Sequence, residues 1–214
     1  MKVLTVANRK GGAGKSTCAA HIAVEATKQG LKTILIDMDP QKTLEMWWQK
    51  RTEENPYLVD TNADELIDTI ARLEKKGLDL CIIDTPGDAS LNAIAGIKVA
   101  DLILIPSKPT APDLAAIGRT ISMVEENKKK YVFLITQGIA RAKATLQAAS
   151  VLSQFGAVAP AVISNRISYV NAMGLGSSSA QLDKIAEEEI SQVWGFVSNR
   201  IFDEKKNTKQ KLTP

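Results

Sequence analysis

The chain has 214 residues, 44% hydrophobic and 24% charged, with 27 Lys and Arg against 24 Asp and Glu for a formal net charge of +3. This composition fits one soluble domain with an ample core, and the charge excess is too small to indicate nucleic acid unless the basic residues cluster. No apolar stretch is long enough to span a bilayer, residues 1–8 read as a core strand and not a signal peptide, and Cys18 and Cys81 lack metal-ligand spacing, which points to buried thiols in a reducing, cytoplasmic compartment.

In chain order, apolar runs at residues 2–7, 32–37, 78–84, 101–106, 131–136 and 158–163 alternate with amphipathic stretches. The runs are nearly continuous in Val, Ile and Leu, as expected of strands buried on both faces of a parallel sheet, and the stretches between them can hold right-handed helical crossovers. The expected fold is α/β and doubly wound, a mainly parallel sheet with helices on both faces. A single domain is expected over residues 1–202, with residues 203–214 as a basic, disordered tail.

The first run leads into Asn8-Arg9-Lys10-Gly11-Gly12-Ala13-Gly14-Lys15-Ser16-Thr17, followed by a helix-like segment from Cys18 to Gln29. Strand, glycine-rich turn and helix form the setting of a phosphate-binding loop. Gly11, Gly12 and Gly14, with Ala13 and Thr17, would let the backbone curl with its N–H groups inward around a polyphosphate, and the helix start adds the positive end of its dipole. Lys15 would reach the β- and γ-phosphates, and the Ser16 hydroxyl would join the shell of a magnesium ion. The plainer alternative is a glycine-rich turn that only links strand to helix, which the Gly-Lys-Ser ending disfavours.

Where G-x-x-x-x-G-K-S expects its first glycine the chain has Arg9, and it carries an extra lysine, Lys10. This resembles the deviant Walker A form, K-G-G-x-G-K-[ST], of the family that includes ParA partition ATPases, MinD and the nitrogenase iron protein. The resemblance implies ATP and Mg2+ as ligands and an ATP-dependent sandwich homodimer. In it Lys10 would cross the interface to the partner's ATP as a catalytic cation, beside Lys15 of the subunit that holds the nucleotide.

The second run ends Ile36-Asp37-Met38-Asp39-Pro40-Gln41, with two carboxylates at the C-terminal end of a strand, where open α/β sheets bind ligands. By resemblance to the family's switch I, Asp39 orients the attacking water and Asp37 supports the magnesium shell. An acidic strand end that caps the next helix is the alternative. The run 78–84 ends in Asp84, at the Walker B position expected to hold a magnesium-bound water, and Thr85-Pro86-Gly87 resembles switch II, with the Gly87 N–H near the γ-phosphate. Between these runs lie two polar helical patterns, Lys42–Thr52 and Ala63–Lys76. They include the pair Trp47-Trp48, of which one is expected inside and the other near the surface.

The segment Pro106 to Leu114 resembles a family loop at the dimer interface near the nucleotide, and reads equally as an ordinary proline turn before a helix with Asp113 in its first turn. Gln137 and Asn165, in later loops at the nucleotide edge, are the expected adenine neighbours. Arg166, Tyr169, Ala172 and Gly176 match a late family signature, R-x-x-Y-x-x-A-x-x-x-G, whereas residues 174–179 depart from the family pattern. A last helix, Gln181–Phe202, is expected to bury Ile185, Ile190, Val193, Trp194, Val197 and Ile201, and its Glu187, Glu188 and Glu189 argue against a membrane partner. Arg141, Lys143 and Arg200, with Lys205, Lys206, Lys209 and Lys211 in the tail, are the expected phosphate contacts of a sequence-independent DNA surface; a merely solvated tail is the alternative.

The resemblance thus implies a slow ATP hydrolase, cytoplasmic and nucleoid-associated, whose ATP dimer grips nonspecific DNA. A centromere-binding or cargo adaptor protein would stimulate its turnover during plasmid or chromosome partition. A positioning ATPase for a non-DNA cargo and a membrane-recruited ATPase like MinD are the alternatives. The lack of an extension before Met1 argues against operator-specific DNA recognition.

Overall fold

The computed structural model describes residues 1–202. Seven parallel strands form one sheet: β1 (Lys2–Val6), β2 (Thr33–Asp37), β3 (Tyr57–Leu58), β4 (Leu80–Asp84), β5 (Leu102–Ser107), β6 (Tyr131–Gly138) and β7 (Ile163–Ser164), in the order β3-β2-β4-β1-β5-β6-β7. The helices are α1 (Lys15–Lys28), α2 (Thr43–Trp48), α3 (Leu66–Lys75), α4 (Leu91–Val99), α5 (Ala111–Glu126), α6 (Lys143–Leu152), α7 (Ile167–Leu175) and α8 (Lys184–Phe202), with a 3-10 turn at Ser179–Gln181. The chain winds one way from β1 to β4 and the other way from β5 onward. The loop after β1 therefore leaves the sheet at its switch point, where a crevice opens beyond the strand ends.

Alternate residues of each strand feed opposite cores. Leu102, Leu104, Val132 and Leu134 face α1 and α8, whereas Ile103, Ile105, Phe133 and Ile135 face α5 and α6. Ile34, Ile36, Cys81 and Ile83 extend the second face toward α3. Burial on both faces is why the strands read as unbroken apolar runs. Cys18 and Cys81 are free and buried, as expected.

Several boundaries differ from those expected. The run 158–163 yields one bridge, Val158 to Phe133, and then the two-residue β7, because Pro160 has no N–H with which to continue a ladder. The two-residue β3 is too short to leave a sequence pattern. Helix α1 begins at Lys15, three residues before the expected start, and α2 ends at Trp48. Trp47 is buried with its indole N–H donating to the Ser177 carbonyl at 3.0 Å, while the half-buried Trp48 donates to the Pro56 carbonyl at 2.8 Å, so both serve the fold.

Helix α8 starts at Lys184, and Ile185 is 52% exposed instead of buried. Asp183 caps this first turn through the N–H groups of Ile185 and Ala186, and the core stripe begins with Ala186. The glutamates of α8 are not all solvated: Glu189 accepts from Ser164 N–H, Arg166 and the Tyr169 hydroxyl, and Glu187 pairs with Lys28. Among the described residues no helix is long and apolar enough to cross a membrane.

Candidate functional site

The turn between β1 and α1 forms the floor of a cavity of about 630 Å³. Gly12 and Gly14 adopt φ of 71° and 87°, a left-handed conformation that side chains oppose. The loop's carbonyls are held by β6: the buried Thr136 hydroxyl donates to Ala13 O at 2.8 Å, and Nε2 of Gln137, which lines the cavity, donates to Gly12 O at 3.0 Å. Among the described residues, none of the N–H groups from Gly11 to Thr17 has an acceptor in hydrogen-bond geometry, and Gly14 caps α1 without a side-chain bond. Such a set of free N–H groups at a helix start attracts anions.

The acidic strand ends lie beneath this floor, close to Ser16 and Lys15, and neither Asp37 nor Asp84 lines the cavity itself. Asp37 and Asp84 are register partners on β2 and β4, so their carboxyls lie side by side. Asp84 is fully buried and neither of its oxygens has a hydrogen-bond partner among the described residues. Burial pushes its carboxyl up to about 7; the nearby Ser16 hydroxyl and Lys15 ammonium pull it down, while Asp37 and Asp39 add to the rise. A buried carboxylate without donors suits a bound cation or its water shell. This donor set suits a magnesium ion, which Asp84, Asp37 and the Ser16 hydroxyl would hold.

Asp37 is also raised by burial, although it accepts two backbone bonds, from Asp39 N–H at 3.0 Å and Glu45 N–H at 2.9 Å. It therefore braces the first turn of α2 as well as facing Asp84, so the helix-capping alternative describes part of its role. Asp39 lies outside the strand and lines the cavity with Pro40 and Gln41, its Oδ1 accepting from Gln41 N–H at 2.9 Å.

Thr85 is fully buried and donates to Val6 O at 2.9 Å, fastening the segment after β4 to β1, while Pro86 and Gly87 reach the cavity. A Cβ on Gly87 would stand 3.4 Å from Lys15 Nζ and 3.5 Å from Gly11 N, which sets this glycine directly over the loop. Lys15 is only 7% exposed, and Lys10 is exposed with no ion-pair partner among the described residues.

A second cavity of about 370 Å³ adjoins the first and is lined by Thr17, Gln137, Ile163, Asn165, Tyr169 and Met173. Gln137 and Asn165 do meet there, though the Gln137 amide is engaged by the glycine loop. Arg166 and Tyr169 of the late signature are tied to Glu189 and fix α7 against α8. The unusual 174–179 stretch also acquires a physical role. Gly176, at φ 69°, lies against the backbone of Lys50 and Arg51, the Arg51 guanidinium donates to Gly176 O at 3.1 Å, and Ser178 caps the 3-10 turn.

The basic residues are not one group. Arg141 and Lys143 are exposed in the segment that follows the C-terminal end of β6, whereas α8 runs from Glu189 beside β7 to Trp194, whose indole donates to Gln29 at the far end of α1. Arg200, two turns further on, therefore lies at the opposite edge, its guanidinium 3.6 Å from the Phe196 ring centroid, and is not a neighbour of Arg141 and Lys143. Lys205, Lys206, Lys209 and Lys211 lie outside the described residues. A further basic residue, Lys108 of the proline-rich turn, has its Nζ 3.6 Å from where a Gly12 Cβ would stand. Its place in the proline-rich turn was a weak signal for this, since no spacing rule links it to the loop.

Residues 4–213 match the sequence pattern of the CobQ/CobB/MinD/ParA nucleotide binding domain. The chain is similar to Protein ParA of Rhizobium radiobacter, 32% identical over 131 residues, which cover 60% of this chain and 59% of that protein. It is similar to the maintenance of carboxysome distribution protein A of Halothiobacillus neapolitanus, 29% identical over 202 residues, 89% of this chain and 93% of the relative. Among solved structures, the septum site-determining protein MinD of Pyrococcus horikoshii OT3 in complex with Mg-ADP superposes with a TM-score of 0.75 at 14% identity, covering 92% of this chain and 95% of that one.

Proposed function

The chain belongs to the CobQ/CobB/MinD/ParA nucleotide-binding family, and from that premise we propose that it is a ParA-type ATPase, slow on its own, whose ATP-bound dimer holds nonspecific DNA. The observation that carries this reading is Asp84, a buried carboxylate with no hydrogen-bond partner among the described residues, close to Ser16 and Lys15 of a glycine loop whose N–H groups from Gly11 to Thr17 have no acceptor among those residues. That pairing of an anion-binding loop with a cation-binding strand end suits a metal-bound nucleoside triphosphate.

In this reading the loop N–H groups and Lys15 bind the phosphates and hold them in line, and Asp39 orients the attacking water from the cavity wall. The magnesium ion, when bound through Ser16, Asp37 and Asp84, supplies positive charge to the transferred phosphoryl group. Lys10 is exposed beside the cavity, and supplied by a second subunit it would add the further cation that the loop of one chain lacks. Gln137 and Asn165 border the neighbouring cavity, which has the size and mixed lining of an adenine site. Arg141 and Lys143, exposed in the segment after β6, would contribute the DNA contacts, two small patches becoming one in the dimer and making the protein nucleoid-associated. The likeness to a carboxysome-distribution protein along nearly the whole chain favours, as a second reading, the same cycle applied to a cargo other than DNA. Either cargo requires an adaptor protein that stimulates turnover.

The test is binding to nonspecific duplex DNA with ATP, with ADP and without nucleotide, for the intact protein and Lys10→Ala at two salt concentrations. Binding that requires ATP, weakens with salt and is lost in Lys10→Ala is expected. Absence of DNA binding in every nucleotide state would overturn the partition reading.

A further inference from the structure

The glycine loop carries a second set of contacts that face away from the cavity. Asn8 is 2% exposed: its Nδ2 donates to the Pro106 carbonyl at 2.6 Å, and its Oδ1 accepts from Lys10 N–H at 2.8 Å and from the Thr120 hydroxyl at 3.2 Å. The Thr120 oxygen, fully buried in the middle of α5, in turn accepts from Arg9 N–H at 3.1 Å. The polarity of this group is fixed. Turning the amide over would set Nδ2 against the Lys10 N–H and Oδ1 against the Pro106 carbonyl oxygen.

The loop is thereby divided. The N–H groups of Arg9 and Lys10 are satisfied from below by α5 and Asn8, whereas those from Gly11 to Thr17 are left for a ligand. The side chains of Arg9 and Lys10 are both exposed, and neither has an ion-pair partner among the described residues. Asn8 also fastens the loop to the end of β5, two residues before Lys108, whose Nζ lies 3.6 Å from where a Gly12 Cβ would stand.

We infer that Asn8 and Thr120 are positioning residues for Lys10, locking the backbone of the Asn8–Lys10 turn so that the lysine projects outward to a second subunit. The inference rests on the reading of Lys10 as a cation that acts across a dimer. A lysine stem is flexible and loses rotamer freedom when its head is bound, so a fixed point of departure reduces what is lost on association. The network also links that point of departure to α5 and to the proline-rich turn from which α5 starts. Displacement of this turn by an opposing subunit would be felt at Lys10 first.

The test compares the intact protein with Thr120→Val, which removes the hydroxyl at equal size, Thr120→Ser, which restores it, and Lys10→Ala. Three quantities are read: affinity for a fluorescent ADP analogue with Mg2+, the midpoint of thermal unfolding without nucleotide, and the ATP-dependent dimer constant from sedimentation. Thr120→Val should keep ADP affinity within about twofold but weaken dimerisation about tenfold, the scale of one lost buried hydrogen bond, with Thr120→Ser close to wild type. A general loosening of the fold would instead lower ADP affinity and dimerisation together, and that result would overturn the inference. So would wild-type dimerisation by Thr120→Val alongside a defective Lys10→Ala. Wild-type dimerisation by Lys10→Ala would overturn the reading of Lys10, and the inference with it. If Thr120→Val does not fold, Thr120→Ala takes its place under the same criteria.

Discussion

Replacing Asp84 with asparagine should stabilise the protein in the absence of metal and nucleotide. The carboxyl is fully buried at the end of β4 without a hydrogen-bond partner among the described residues, and burial raises its pKa from 3.8 to about 7. Because the folded-state value lies above the unfolded one, the folded chain holds this proton more tightly. The resulting penalty is absent below about pH 3.8 and grows as pH rises to 7. A carboxyl displaced this far costs about 4 kcal/mol once fully charged, near pH 8, and under about 2 kcal/mol at pH 5. Asparagine has nearly the same shape and no charge to bury. Urea denaturation in EDTA should therefore find Asp84→Asn more stable than wild type at pH 8, by an amount that shrinks by about 2 kcal/mol at pH 5. The same variant should lose Mg2+-dependent nucleotide binding. A stability difference that does not change between the two pH values, or a variant less stable at pH 8, would refute the argument that Asp84 is an uncompensated buried charge.

Lys15→Ala should abolish binding of a fluorescent ATP analogue, whereas Asp39→Ala should bind ATP and dimerise but release no phosphate; normal hydrolysis by Asp39→Ala would show that another group orients the water. Gly176→Ala places a Cβ 2.5 Å from the Lys50 carbonyl carbon and 2.7 Å from Arg51 N at φ 69°. Left-handed strain and overlap with backbone together should cost about 2–4 kcal/mol, seen as a lowered thermal midpoint, while Gly118→Ala in α5, with open space around it, should be neutral or stabilising by up to about 1 kcal/mol. His21, the one histidine of the chain, is fully buried, and burial lowers its pKa from 6.5 to about 4, with the Thr17 carbonyl opposing the shift. The unfolded state binds that proton more readily, so stability should fall by up to about 3 kcal/mol as pH drops from 6.5 to 4, and His21→Gln should flatten this part of the urea-denaturation profile.

The sheet was legible because strands buried on both faces leave unbroken Val, Ile and Leu runs, and all but the shortest strands are of that kind. Tyr57–Leu58 and Ile163–Ser164 are not, since two residues pairing at a sheet edge carry no period. The acidic cluster was legible for a different reason. Asp37 and Asp84 each end an apolar run, and adjacent parallel strands of similar register set such ends side by side. What sequence could not give is the direction of α8. Helical periodicity identifies the buried stripe but not which end of the sheet the helix runs toward, and so Arg200 was grouped with Arg141 and Lys143, from which the packing of Trp194 near Gln29 separates it. Local hydrogen bonding was equally hidden: Ile185 fits the stripe by spacing, yet Asp183 caps the turn before α8 reaches the core.

The arrangement of the glycine loop explains how a segment rich in glycine can be a defined binding surface. Free glycines would lose most backbone freedom on gripping a ligand, which would weaken binding by the entropy of ordering. Here much of that ordering accompanies folding. Thr136 and Gln137 of β6 hold the loop carbonyls, Asn8 and Thr120 hold its first two N–H groups, and Thr85 ties the segment over it to β1. Each anchor is a polar side chain from a strand end or helix, and each takes up a backbone group that would otherwise be left without a partner. The backbone groups left over are N–H donors of one polarity, and beside them lies Asp84, a carboxylate with no hydrogen-bond partner among the described residues. A ligand carrying phosphate at one end and a cation between phosphate and Asp84 satisfies both sides at once, whereas either ion alone satisfies only one. Nucleotide and metal should therefore bind with positive coupling, each raising the other's affinity by the same factor, as linkage requires.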